Sequence, residues 1–492
     1  MYACRKMTNI SPETTVMIMR SSDGRNTYRR QILAALAVSL GPFAAGLGKG
    51  YTSPAIASMQ DVRAHNGTHF TVTDQQASWI ASLSLLGALI GGILGGMVMQ
   101  YGRHKILLIA ALPYSICWLI TALSNSVHMI SVTSFCSGLL VCLISMLTQV
   151  YITEIAVPEI RGCLSSVLKI LSQIGILISF SVGALLNWYQ LALVVAAAPI
   201  FLFIALLFIP ETPSCLLLRG KDEDAAVSLQ WLRGPEADIR QELATIRTNI
   251  LASKQYHDGK TSRLKILLSK RLTRPVLITC GLMFFQRFTG AHVFNFYAVP
   301  MFKKTFRTMN PHGGAIATSF VQILASCLSG MLIDHVGRLP LLMISGVMMS
   351  IALAGFGSYA YYEDVFRNAT DLVLSEPRSY DWIPLVCVIT FTIAFALGIG
   401  PISSLLIGEL FPLEYRSTGS ALATSFSHLC GFINVKTATD IQELIGLHGL
   451  FWMYACISVC CLLFVVLFVP ETKGREIDEM DPKYVESLCI NR

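Results

Sequence analysis

Runs of about twenty apolar residues, parted by short polar stretches, recur along almost the whole chain. About twelve are long enough to cross a bilayer, and helices are the form that satisfies the backbone over such lengths of lipid. The pattern predicts spans at 31–51, 79–99, 106–124, 127–150, 163–186, 190–209, 275–299, 313–333, 341–361, 382–407, 417–437 and 448–469. Six precede the only long polar insert, 211–274, and six follow it. The expected architecture is an all-α polytopic membrane protein with 12 transmembrane helices arranged as two six-helix pseudo-repeats. It divides into an N-terminal arm 1–30, a first bundle 31–210, a linker 211–274 with short helices, a second bundle 275–469 and a tail 470–492.

The sparse charged residues repeat as well. Gly102-Arg103 returns as Gly337-Arg338, Glu154 with Arg161 as Glu409 with Arg416, and Pro210-Glu211-Thr212 as Pro470-Glu471-Thr472. The Glu-to-Arg step is seven residues in both copies. Matching marks on an apolar chain point to a duplicated bundle whose halves move against each other around a central site. Such charges at helix ends either pair in one state and part in the other, or snorkel to the interface.

Composition narrows the class: 53% of the 492 residues are hydrophobic and only 14% charged, which excludes a soluble enzyme of this size. Arg5, Lys6, Arg20, Arg25, Arg29 and Arg30 in the arm, and the basic linker, place both termini in the cytoplasm of a multi-pass protein. Residues 52–78 and 362–381 then lie outside, each with a glycosylation acceptor, Asn66-Gly67-Thr68 and Asn368-Ala369-Thr370. Lys303, Lys304 and Arg307 break the charge rule in an outer loop. The net charge of +7 follows from topology without a nucleic-acid partner, the bilayer being the partner the composition demands. A polar arm precedes the first span, so no cleavable signal peptide is expected. Most of the fourteen Cys lie in apolar spans as small packing residues, with none in the outer loops. Helix-like runs at Asp222–Leu232 and Ile239–Ile250 make the linker either a latch under the bundle or a solvated tether. No phosphate-binding Gly loop, metal-ligand spacing or activated nucleophile is present, so no catalytic residue, metal or cofactor is expected.

Several motifs combine in one order. Tyr151-x-x-Glu154, Pro158 and Arg161-Gly162 are followed by Pro210-Glu211-Thr212-Pro213-Ser214 and Gln286-Arg287-Phe288-Thr289-Gly290. Then come Asp334-x-x-Gly337-Arg338, Gly408-Glu409-Leu410-Phe411-Pro412 with Arg416, and Pro470-Glu471-Thr472-Lys473-Gly474. Over nearly the whole chain this resembles the sugar porter family of the major facilitator superfamily. Gly50-Tyr51-Thr52-Ser53-Pro54, Gly175-Ile176-Leu177 and Asn187-Trp188 look most like its facilitative glucose-transporter branch, which includes insect facilitated trehalose transporters. The resemblance implies the major facilitator fold, a small-molecule sugar substrate, the plasma membrane and an intracellular gate. That gate would comprise Arg103, Glu154, Arg161, Glu211, Asp334, Arg338, Glu409, Arg416 and Glu471, with Met99 where the family usually has an acidic residue.

The site implied by the resemblance is altered. Hydroxyls taken out of water need bond-for-bond replacement. The seventh span carries Gln286, Arg287 and His292, then Asn295 and Tyr297, where the family usually has two Gln and an Asn. The tenth span has Gly400-Pro401-Ile402-Ser403-Ser404 in place of a Trp-bearing motif, the eleventh has Ser427-His428 in place of Asn-Trp, and the fifth has Lys169 near a usual Gln. Gln286, Arg287, His292, Asn295, Tyr297, Ser404 and His428 are the candidate substrate contacts. Arg287 is either a cavity contact or an Arg at a wet helix end. His292 and His428 are substitutes for lost amides, proton acceptors or packed neutral rings. Lys49 and Lys436 add further positive charge in or near spans. Gly398, Gly400 and Pro401 can break the tenth span next to the cavity, with Gly400 and Pro401 as the gate or hinge. With no Asp or Glu well inside a span, the expected mechanism is uniport by alternating access. The alternatives are a sensor with little flux, or a polyol or organic-anion carrier, with proton coupling through His held open.

Overall fold

The computed structural model describes residues 12–61, 71–235, 237–257, 270–306, 309–369, 380, 382–411 and 416–471. Every element among them is helical. The first half contains α1 (Pro12–Met59), α2 (Asp74–Val98), α3 (Arg103–Ala122), α4 (Val127–Ile155), α5 (Pro158–Gly183) and α6 (Trp188–Leu206). The insert contributes α7 (Pro213–Leu218), α8 (Asp222–Arg233) and α9 (Arg240–His257). The second half contains α10 (Lys270–Phe288), α11 (Ala291–Thr305), α12 (Pro311–Val336), α13 (Arg338–Ala369), α14 (Trp382–Leu397), α15 (Ile399–Leu410) and α16 (Arg416–Phe468).

Among the described residues, 11 helical stretches are long and apolar enough to cross a membrane. One of them, Gly419–Phe468, has 50 residues. At about 1.5 Å per residue this is more than twice a hydrocarbon core of about 30 Å. Its backbone leaves the helical region at Gly446 (φ 77, ψ 170), so it supplies two crossings and the total reaches twelve. Large apolar side chains such as Ile109, Phe201, Met331 and Ile351 stand exposed on the outside of the bundle, as lipid-facing residues must.

The two halves pack alike. α2 lies on α4, α1 on α5 and α3 on α6; in the second half α12 lies on α14, while α10 and α13 both pack on α16. The halves meet where α2 lies against α16, α5 against α12 and α1 against α11.

Three helices depart from the apolar pattern. α1 extends on both sides of 31–51, since nothing in Pro12–Arg30 stops a helix and Pro54 does not end it. The seventh crossing is two helices, parted at Thr289 and Gly290. The tenth is also two, parted at Gly398, the first of the three residues expected to break it. A Cβ at Gly398 would run into the Ser345 side chain, which also accepts the Ile399 N–H at 3.4 Å. Pro401 therefore sits in the first turn of α15, where a missing N–H costs nothing.

The insert is docked. Arg233 pairs with Glu242 at 2.6 Å and donates to the Ile155 carbonyl at 3.0 Å, while Arg30 donates to the Trp231 carbonyl at 3.1 Å. Its first part thus lies against the middle of α1 and the end of α4, docked rather than solvated all round.

Candidate functional site

A cavity of about 790 Å³ lies between the halves. Arg287, His292, Asn295, Ser404 and His428 line it, as do Lys49 and, in the first half, Gln149 and Gln173. Gln286 takes another role: its Nε2 donates to the Gly400 carbonyl at 2.7 Å and ties the seventh crossing to the broken tenth. Tyr297 lines a separate small pocket with Gln60, Asp74, Lys304 and Glu443. Lys169 is exposed on α5, and Gln173, one turn further along, reaches the cavity instead.

Arg287 faces the cavity from the last turn of α10. Its Nε donates to Ser427 Oγ at 2.7 Å and its Nη1 to His292 Nε2 at 2.8 Å, while its carbonyl accepts from Asn434 at 2.7 Å. A guanidinium only donates, so the His292 nitrogen facing it is an acceptor and carries no proton. The aromatic wall comes from a place the motif comparison did not indicate. Tyr51 and Trp118 meet edge to face with centroids 4.8 Å apart and line the cavity. The Tyr51 hydroxyl and the Trp118 indole N–H have no hydrogen-bond partner among the described residues. Gln149, Gln173 and Gln322 also line it, and the one sequence signal that marks them is an amide inside an apolar run.

The cavity extends towards the end of the bundle that carries the repeated charges, where Met99, Met146, Gln149 and Val150 form its wall. There each half repeats one device. Arg103 pairs with Glu154 at 2.8 Å, and Arg338 pairs with Glu409 at 3.1 Å. Glu211 accepts the backbone N–H of His104 at 2.9 Å and of Lys105 at 3.3 Å; Glu471 accepts those of Arg338 at 3.1 Å and Leu339 at 2.9 Å. Gly102 and Gly337, with φ 112 and 109, turn the chain so that these carboxylates meet the start of the next helix. These pairs join residues of the same half. Arg161 stands exposed and donates to the Ala156 carbonyl at 3.4 Å, apart from Glu154. The side chains of Asp334, Arg416 and Asn368 and the whole of Asn66 lie outside the described residues.

At the opposite end the halves are tied together. Lys436 donates to Gln75 Oε1 at 3.2 Å and to Ser78 Oγ at 3.0 Å, lies 5.1 Å from the Trp79 ring centre, and pairs with Asp440 at 3.7 Å. Gln75 also donates to Asp440. Lys303 pairs with Asp61 at 3.7 Å and Lys304 with Asp74 at 3.6 Å, so these two lysines, expected in an outer loop, stand in the last turn of α11 and have partners across the interface. The kink at Tyr297 frees the Val299 N–H, which donates to Ser53 Oγ at 2.9 Å.

A family model described as "Sugar (and other) transporter" matches residues 34–484. The facilitated trehalose transporter Tret1 of Apis mellifera ligustica is 38% identical over 458 residues, covering 93% of this chain and 88% of that protein. Tret1 of Polypedilum vanderplanki is 37% identical over 488 residues, covering 96% and 94%. Among solved structures, the inward open conformation of the xylose transporter XylE from E. coli has a TM-score of 0.73 at 23% identity, covering 92% of this chain and 98% of that one. That likeness shows the major facilitator fold, in agreement with the reading of the motifs.

Proposed function

Because the chain belongs to the sugar transporter family, we propose that it carries a sugar across the plasma membrane by facilitated, alternating access. Trehalose, which the relatives' name states, and hexoses are the first candidates. The observation that supports this most directly is a cavity between two like-built halves, tied shut at one end by Lys436, Gln75 and Asp440 and walled at the other by Met99, Met146 and Gln149. The end with the repeated charges faces the cytoplasm together with both termini, and the closed end faces out.

In this arrangement Asn295, Ser404, Gln173 and Gln322 replace the water around the hydroxyls, and Tyr51 and Trp118 give the ring an apolar face with two unsatisfied polar atoms. No Asp or Glu lies among the lining residues, which favours uniport over a carboxylate-borne proton. Rocking then breaks the Lys436 contacts and closes the end around Met99.

The test is uptake of labelled glucose, fructose, trehalose and myo-inositol into cells lacking their own hexose carriers, with and without a proton gradient. Saturable, gradient-independent uptake of one sugar is expected. Absence of flux from protein shown to be at the surface would turn the reading towards a sensor.

A further inference from the structure

The charge in the cavity is one-sided. Lys49 enters it from α1 of the first half and Arg287 from α10 of the second, both lining the same cavity. Among the described residues no carboxylate pairs with either, and the lining includes no Asp or Glu. The groups that fix Arg287 are a hydroxyl, Ser427, and an imidazole, His292, that accepts its N–H; neither brings negative charge. Two basic side chains inside a membrane bundle, of which Arg287 is held by neutral partners, lack a counterion.

We propose that the counterion is the substrate: a sugar-sized solute bearing an anionic oxygen group, carboxylate or phosphate, which sits between Lys49 and Arg287. This rests on the reading of the chain as a sugar carrier and names the class of sugar. The hydroxyls of such a solute use Asn295, Ser404 and Gln173, while the anionic group meets the two cations. Because the cations belong to opposite halves, an anion between them replaces their repulsion by attraction and draws the halves together. A neutral sugar leaves that repulsion in place. The charge therefore governs both which solute binds and how readily the loaded cavity closes.

The purified full chain, reconstituted in liposomes, is tested with labelled glucose, glucuronate and glucose 6-phosphate, the last two separating carboxylate from phosphate. At least about tenfold tighter apparent binding of one anionic sugar than of glucose is expected, a difference of about 1.4 kcal/mol. Flux of that anion follows an imposed membrane potential, whereas glucose flux does not. Lys49→Gln and Arg287→Gln each abolish the preference, and Lys49→Arg, which keeps the charge, retains it; thermal unfolding of each variant confirms that it is folded. Transport of glucose with no preference for either anion overturns this proposal and leaves the sugar-carrier reading standing. Absence of binding of all three sugars by folded protein overturns this proposal, and uptake of labelled trehalose then decides the sugar-carrier reading.

Discussion

At the scale of single residues, the polar groups that matter are the ones lipid makes costly. A charge on an apolar chain is visible from sequence for that reason, and Arg287, Glu154, Glu211 and their repeats stand out without a structure. What each one touches was less legible. Arg161 belongs to the same repeat as Glu154 yet bonds a carbonyl, because its place in the first turn of α5 turns it outward. Trp118 went unnoticed, and Tyr51 was marked only as part of a motif, because an aromatic inside an apolar run looks like any other packing residue. Glu211 has a part that spacing did not suggest, capping α3 with two hydrogen bonds to its first amides. Glu211→Ala is expected to lower the unfolding free energy by about 1 to 2 kcal/mol. Chemical denaturation followed by tryptophan fluorescence checks it; an unchanged midpoint and slope would show the cap to be idle.

At the scale of helices, the sequence located the crossings and, through its glycines and proline, the break in the tenth, but not the break in the seventh. A hydropathy pattern sums over about twenty residues, so it passes over a single Thr289-Gly290. It also ends a helix where polarity rises, which is why α1 was drawn too short at Thr52 and Ser53. The break at Gly398 depends on close contact with Ser345, which gives a direct prediction. Gly398→Ala forces the added methyl against Ser345 and is expected to cost about 1 to 3 kcal/mol by overpacking. Pairing it with Ser345→Gly removes the side-chain part of the obstacle and recovers part of the loss, while the Leu341 carbonyl, 2.8 Å from the added methyl, keeps the rest. Thermal unfolding and uptake of both variants provide the measurement, and a double variant no better than the single one would place the strain elsewhere.

At the scale of the whole molecule, two similar bundles face each other with different contacts at their two ends. The duplication was legible because the charged marks recur in order, whereas the state of the gates was not, since one sequence serves every state of the cycle. The described state is held at the Lys436 end by exposed or half-buried polar contacts, each worth about 0.2 to 1 kcal/mol. Lys436→Gln is therefore expected to raise the population open at that end about two- to fivefold. The native Cys142, which lines the cavity, reports it: an impermeant maleimide added from the Asp61 side labels it correspondingly faster, read by mass spectrometry. Equal rates in variant and parent would show that the lock lies in other contacts.

The carboxylates of Glu211 and Glu471 come just after the last helix of their halves and hold the start of the third. During synthesis, α3 crosses the membrane well before residue 211 exists, so its first amides wait uncapped until the sixth helix is in place. The same wait recurs for α13 and residue 471. Completion of each bundle is thus registered at the membrane surface, by a bond that only the final residue of that bundle can make.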